Sequence, residues 1–329
     1  MYVNSQQCYY NHAFIVPLDI IMRRTIRGVF AGAGSDGLNE VEVCKAIIRL
    51  TNKEASQVTV AYLGTATYDL PQPQIRQTEK LVAMGCTIKA VQVADPTLKE
   101  GIPAIKSVLE SCDVVVVSGG NTLYAMERWK VFGIDTMLTE AASRGCVMSG
   151  GSAGAICWFD GGHSDSMDPD TYRNSMMAIV SNGGDEATAA PTADSERKKW
   201  KYIRIPGLSL VPGLCCPHYD KTQSNGVPRS DDFMEMMLRH SQESVVCIDH
   251  WAALVVDGDN YEVLSISNKT RAVPEGGKPW CYIGKVADGV PIITALPPSG
   301  PMASTFEFAR AIVDDPLVAQ CISENPPVL

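Results

Sequence analysis

No stretch of this chain is basic enough to follow a nucleic-acid backbone. The formal charge is −9, and the one cationic cluster, Glu196-Arg-Lys-Lys-Trp-Lys201, reads as a solvated loop or helix end. A nucleic acid or an anionic membrane surface is therefore not an expected partner. No apolar run reaches the length of a transmembrane helix. The mildly apolar stretch 13–22 is broken by Pro17 and Asp19 and has no positive charge before it, so it makes a poor secretory signal. Eleven cysteines are scattered, several inside apolar runs, with no C-x-x-C and no Cys/His pair at zinc-ligand spacing. They read as small buried hydrophobes in a reducing compartment, which points to the cytoplasm and to no structural metal. Histidine is scarce, with five residues at 12, 163, 218, 240 and 250, so few side chains can serve as a base near neutral pH.

What is present is ordinary globular material. With 45% hydrophobic and 20% charged residues over 329 positions, one large α/β domain with appendages is expected. Apolar runs and amphipathic segments alternate from residue 26 to 158, as strand and helix do in a doubly wound, mostly parallel sheet. The run Asp113-Val-Val-Val-Val-Ser118 has no polar alternation and predicts a strand covered on both faces. Three Gly-rich segments follow predicted strands: Gly32-Ala-Gly-Ser-Asp-Gly37, Gly119-Gly-Asn-Thr122 and Gly150-Gly-Ser-Ala-Gly154. All three fall at the carboxyl edge of the sheet, where α/β folds place their ligands. The first matches G-x-G-x-x-G, but the second strand ends in Gly64-Thr-Ala-Thr67 with no Asp or Glu there to hold a ribose, which argues against a dinucleotide. Residues 159–201 are rich in Gly, Asp, Ser and Ala and are expected to form a surface insertion. Residues 1–25 read as an N-terminal extension, with Met22 a second candidate start, and residues 290–329 as a C-terminal extension carrying a helix over 305–313. That tail could serve regulation or the pairing of two copies into a homodimer.

The segment Gly150-Gly151-Ser152-Ala153-Gly154 fits G-x-S-x-G, a turn from strand to helix that holds a serine at its apex in a strained conformation. A serine hydroxyl is a weak nucleophile and needs a base within reach, an orienting group for the base, and donors for the oxyanion. His218, in Cys216-Pro-His-Tyr-Asp220 directly after an apolar strand, is the base candidate by position.

The set Gly119-Gly-Asn-Thr122, Gly151-Ser-Ala-Gly-Ala155 and Pro217-His-Tyr219, in this order and spacing, resembles the serine peptidase family of dipeptidase E and cyanophycinase. The likeness covers about residues 26–285, which places a peptidase domain at 26–289. It implies a flavodoxin-like sheet akin to that of class I glutamine amidotransferases, and neither metal nor organic cofactor. Carried over, Ser152 is the nucleophile, His218 the general base, the backbone N–H groups of Gly120 and Ala153 the oxyanion hole, and Asn121 a lining residue of the substrate pocket. Implied substrates are short peptides, with an N-terminal aspartate as in dipeptidase E. Arg173 and Arg204 are the nearest cations by sequence order that could receive it.

The orienting acid is where the chain departs from its relatives. Where cyanophycinase-like members carry an acid, Ile248-Asp249-His250-Trp251 offers His250. Alternation along a strand turns Asp249 away if His250 keeps the family direction. Asp165, in Ser164-Asp-Ser166, is the favoured substitute, with Asp249 second. A third alternative is that the acid is lost and the protein is a weak enzyme, or a silent member that binds a small molecule or peptide.

Overall fold

The computed structural model describes residues 26–95, 98, 101–181, 199–273 and 276–302. The N-terminal stretch 1–25, the start of the cationic cluster at 196–198 and the helix expected over 305–313 lie outside the described residues. Five strands, β1 (Arg27–Ala31), β2 (Thr59–Leu63), β3 (Thr87–Val91), β4 (Val114–Val117) and β5 (Val147–Gly151), run parallel in the order β1-β5-β4-β2-β3. Helices that include Val41–Thr51, Pro71–Ala83, Ile102–Ser111 and Thr122–Phe132 carry the chain between them. β4 shows why its sequence lacks polar alternation. Val115 and Val117 enter the core on one face of the sheet, and Val114 and Val116 the core on the other. All four are fully buried, each worth about 1.5–3 kcal/mol of apolar transfer.

The chain then builds β6 (Phe159–Ser164), β7 (Ile203–Pro206), β8 (Val211–Cys216), β9 (Val245–Ile248), β10 (Ala252–Asp257), β11 (Asn260–Ser265), β12 (Cys281–Ala287), β13 (Val290–Ala295) and β14 (Ser299–Pro301). Strands β10, β11 and β14 extend the first sheet beyond β1, giving the order β14-β11-β10-β1-β5-β4-β2-β3. The others form a second sheet, β13-β12-β9-β8-β6-β7. The Phe30 ring meets that of Phe159 edge-on, with centroids 5.5 Å apart, where the two sheets pack. Among the described residues no helix is long and apolar enough to cross a membrane.

Two expectations are corrected. The segment after Trp158 does not leave the fold as a surface insertion: Phe159–Ser164 is a strand between β8 and β7, buried along nearly its whole length. Its glycines signal crowding rather than looseness. A methyl on Gly162 would stand 2.4 Å from the Cys215 carbonyl oxygen, and one on Gly161 2.7 Å from that of Ile205. At the other end, the sheets continue past residue 289. Val290–Ala295 pairs with β12, and Ser299–Pro301 with β11.

Candidate active site

β1 and β5 end level with each other, Ala31 opposite Gly151, and β4 ends with Val117 opposite Gly150. The loops that follow all reach Ser152. This residue has φ 55° and ψ −119° and caps the short helix Ala153–Ile156. A β-carbon is held there at a cost of about 1–3 kcal/mol. Its neighbours are small because backbone crowds in. A methyl on Gly151 would lie 2.0 Å from the Ala33 oxygen, and one on Gly154 2.2 Å from the Val117 oxygen. Gly34 and Gly119 face the serine from the other two loops, where methyls would stand 3.8 and 3.7 Å from its Cβ.

Gly120 has φ +114°, and a methyl on it would meet the Ala66 oxygen at 2.3 Å, so only glycine fits. Ala153 opens the helix after the serine, and its N–H is among those that no helical carbonyl can take.

His218 follows β8 and is held by the backbone. It has φ 50°, and its N–H donates to the Gly32 oxygen at 3.0 Å. The Ser152 N–H donates to the Ala31 oxygen at 3.1 Å. Ser152 and His218 thus hang from consecutive carbonyls at the end of β1, although 66 residues separate them in sequence (218 − 152). Gly32 is the tight point of that loop, since a methyl there would lie 2.0 Å from the Asp249 oxygen.

The His218 Nδ1 lies 2.8 Å from Nδ1 of His250. His250 Nε2 lies 3.0 Å from Oδ2 of Asp36, on the helix Ser35–Leu38. Asp220 fixes the backbone beneath. Its Oδ1 accepts the His250 N–H at 2.7 Å and its Oδ2 the Ala272 N–H at 2.8 Å. Burial and the neighbouring His250 hold the His218 pKa well below that of a free imidazole. The hydrogen bond from His250 draws the Asp36 carboxyl below the ordinary range.

A strained serine after a parallel strand, a histidine tethered at the end of a neighbouring strand and two glycine loops around the serine are joined by a sequence-wide likeness. The model of Peptidase family S51 matches residues 29–264. The chain belongs to that family. Over 328 residues it is 28% identical to a protein of Trypanosoma brucei brucei named G2/mitotic-specific cyclin-1, covering 93% of this chain and 95% of the relative. It is 32% identical over 171 residues to the uncharacterized peptidase YgaJ of Bacillus subtilis, covering 52% and 59% of the two chains. A peptidase of an acI-B1 actinobacterium shares the fold, with a TM-score of 0.50, 13% identity and coverage of 82% and 98%.

Within this S51 domain neither carboxylate expected to orient His218 is bonded to it. Asp165 lies in another network, where its Oδ2 accepts from Gln223 Nε2 at 2.9 Å and Arg229 Nη1 at 3.2 Å. Arg229, wholly buried, also donates to the His163 carbonyl and lies over the Tyr202 ring. Asp249 does point away, although it and His250 stand in the turn between β9 and β10 rather than on a strand. It ion-pairs with Arg271 at 2.8 Å and accepts from the Trp280 N–H at 2.9 Å. Burial and nearby Asp220 push its carboxyl up to about 6.

Asn121 also has a different task from lining the pocket. It is fully buried, and its Oδ1 caps the helix Thr122–Phe132 through the Tyr124 N–H at 2.9 Å. Its Nδ2 donates to the Ser166 carbonyl at 3.1 Å and to Thr171 Oγ1 at 3.0 Å, which ties the loop after β4 to the segment after β6. Arg204 is engaged by Glu243 through two bonds of 2.6 and 3.0 Å. Cys157, the nearest thiol by sequence to Ser152, is fully buried, and burial pushes its pKa up, which leaves it a poor nucleophile. The residues missed by sequence reasoning are Asp36, Asp220 and Arg229. Asp36 stood in the G-x-G-x-x-G segment, whose glycines serve close packing instead.

Asp165 and Arg229 give a direct test of this sorting. Arg229→Met leaves the Asp165 carboxylate buried without its cation and should cost about 3–5 kcal/mol in urea unfolding. Asp165→Asn should destabilise as well, yet leave kcat of the folded enzyme within about tenfold, where a triad acid would cost about 10⁴. A 10⁴-fold loss of kcat at unchanged stability would return Asp165 to the triad.

Proposed function

We propose that this S51 chain is a serine peptidase that hydrolyses short peptides through an acyl-enzyme on Ser152. The observation that carries this reading is the strained Ser152, whose N–H and that of His218 are held by the consecutive carbonyls of Ala31 and Gly32. His218 Nε2, with Nδ1 engaged by His250, takes the proton of Ser152 Oγ as Oγ attacks the peptide carbonyl. The N–H groups of Gly120 and Ala153 receive the oxyanion. The C–N bond then breaks, and His218 passes the same proton to the leaving amine. Water, deprotonated in turn by His218, releases the acyl group. Ser152 is only 8% exposed between the Gly34 and Gly119 loops, which favours short substrates over folded chains. The nine cysteines among the described residues are all free, which fits a reducing compartment such as the cytoplasm.

A preference for an N-terminal aspartate would need a cation in the pocket. With Arg204 engaged by Glu243, Arg173 is the better of the two candidates. It is half-buried at the start of the helix Arg173–Ser181, near the buried Tyr124. Arg173→Ala should then reduce kcat/KM for Asp-Leu by about 10-fold or more, and for Ala-Leu much less. Equal rates on Asp-Leu, Ala-Leu and Lys-Leu in the unmutated enzyme would remove the aspartate preference. Hydrolysis itself is tested by incubating the purified protein with a panel of di- and tripeptides and identifying products by mass spectrometry. Failure of a folded sample to cleave any of them counts against the peptidase reading.

The pH profile has a definite sign. The base must be unprotonated, and its pKa is displaced downwards, so it stays in working form at and below pH 6.5. The acid limb of kcat/KM should therefore fall below 6.5, while a midpoint at or above 7 would show that another group controls the reaction.

A further inference from the structure

We propose that His250 and Asp36 together replace the triad carboxylate, Asp36 being a positioning residue that sets the tautomer of His218 through His250. The proposal rests on the assignment of Ser152 and His218 made above. Between two nitrogens 2.8 Å apart, one must donate and the other accept. A general base at His218 Nε2 requires the proton on His218 Nδ1, so His250 Nδ1 must be the acceptor. A neutral imidazole that accepts at Nδ1 carries its proton on Nε2. That nitrogen faces Oδ2 of Asp36 at 3.0 Å, and an ionised carboxylate can only accept. The order of donors is therefore fixed from the outer end: His250 Nε2–H to Asp36, then His218 Nδ1–H to His250 Nδ1. This leaves the His218 Nε2 lone pair for Ser152.

The backbone under both rings is fixed: Asp220 accepts the His250 main-chain N–H, and the Gly32 carbonyl accepts that of His218. When the Ser152 proton arrives, the imidazolium is stabilised by the His250 dipole and, at longer range, by Asp36. This support is weaker than that of a carboxylate in direct contact. The other charged groups facing the pair are Asp220, Lys221 and Arg229 around the rings and Lys269 near Asp36.

The test combines a double-mutant cycle with a readout that needs no turnover. Asp36→Asn can offer an amide N–H to His250 Nε2, which selects the wrong tautomer. It should lower kcat about 10²-fold with KM within threefold, less than the 10⁴ of a carboxylate in direct contact. Fluorophosphonate labelling of Ser152 should slow in parallel. In His250→Glu the carboxylate reaches His218 directly, so kcat should rise, and the acid limb of kcat/KM should move up in pH. In that background Asp36→Asn should change kcat less than twofold. Imidazole nitrogen NMR on the resting protein should show His250 protonated at Nε2 and His218 at Nδ1, with both assignments lost in Asp36→Asn. The proposal is overturned by His250 protonated at Nδ1, by an Asp36→Asn loss equal in both backgrounds, or by no loss in either. Persistence of turnover in Ser152→Ala would instead refute the underlying assignment, while the NMR result would still decide the relay.

Discussion

Replacing Ser152 with alanine is expected to lower kcat on the best peptide substrate by about 10⁵- to 10⁶-fold, in line with loss of a triad member in other serine hydrolases. The fold should be unaffected, because alanine keeps the β-carbon that the φ 55° position already accommodates, and only Oγ is lost. Unfolding free energy should stay within about 1 kcal/mol. His218→Ala should cost about as much, and the double variant no more than either single one, since base and nucleophile act on one proton. Additive losses would show that His218 works in a step Ser152 does not share. Turnover within tenfold of the unmutated enzyme in Ser152→Ala would mean that a different nucleophile does the chemistry.

Gly120→Ala should have the next largest effect. The added methyl would meet the Ala66 carbonyl oxygen at 2.3 Å, on a residue whose φ of +114° already disfavours a side chain. That oxygen cannot retreat freely, because it accepts the Asn121 N–H at 2.8 Å and so closes the loop. The Gly120 N–H must therefore shift from the place where the proposed mechanism puts the oxyanion. Loss of one such donor costs about 10²- to 10³-fold in kcat with little change in KM. Overpacking should also remove about 1–3 kcal/mol of stability. Steady-state kinetics beside thermal unfolding separates the two effects. A variant with normal kcat would show that the N–H of Gly120 is not a donor in the transition state.

The parts of this site written in local sequence were legible there. The elbow announces itself because small residues must flank a serine forced close to two other backbones, and Gly151 and Gly154 bear that out in the contacts a methyl would make. The parallel strands were readable from runs such as Val114–Val117, buried on both faces. Strand β6 was not, because a glycine pair chosen for close approach to β8 and β7 has the composition of a loop. The resemblance drew attention to His250 as replacing an expected acid, but its partner could not be read. Asp36 is 214 residues away, and nothing near it in the chain marks a carboxylate for an imidazole. Asp165 misled for the opposite reason. It sits in a suggestive Ser-Asp-Ser segment after the elbow, but a buried arginine on the helix Arg229–Arg239 claims it.

The nucleophile can be read directly from one mass spectrum. The folded protein is treated with a fluorophosphonate, digested and sequenced by tandem mass spectrometry. A serine hydrolase of the kind described here gives one adduct, on the peptide containing Gly150-Gly-Ser-Ala-Gly154, at the hydroxyl of Ser152, and His218→Ala abolishes it. An unlabelled protein, or an adduct on a different residue that survives in Ser152→Ala, would contradict the account.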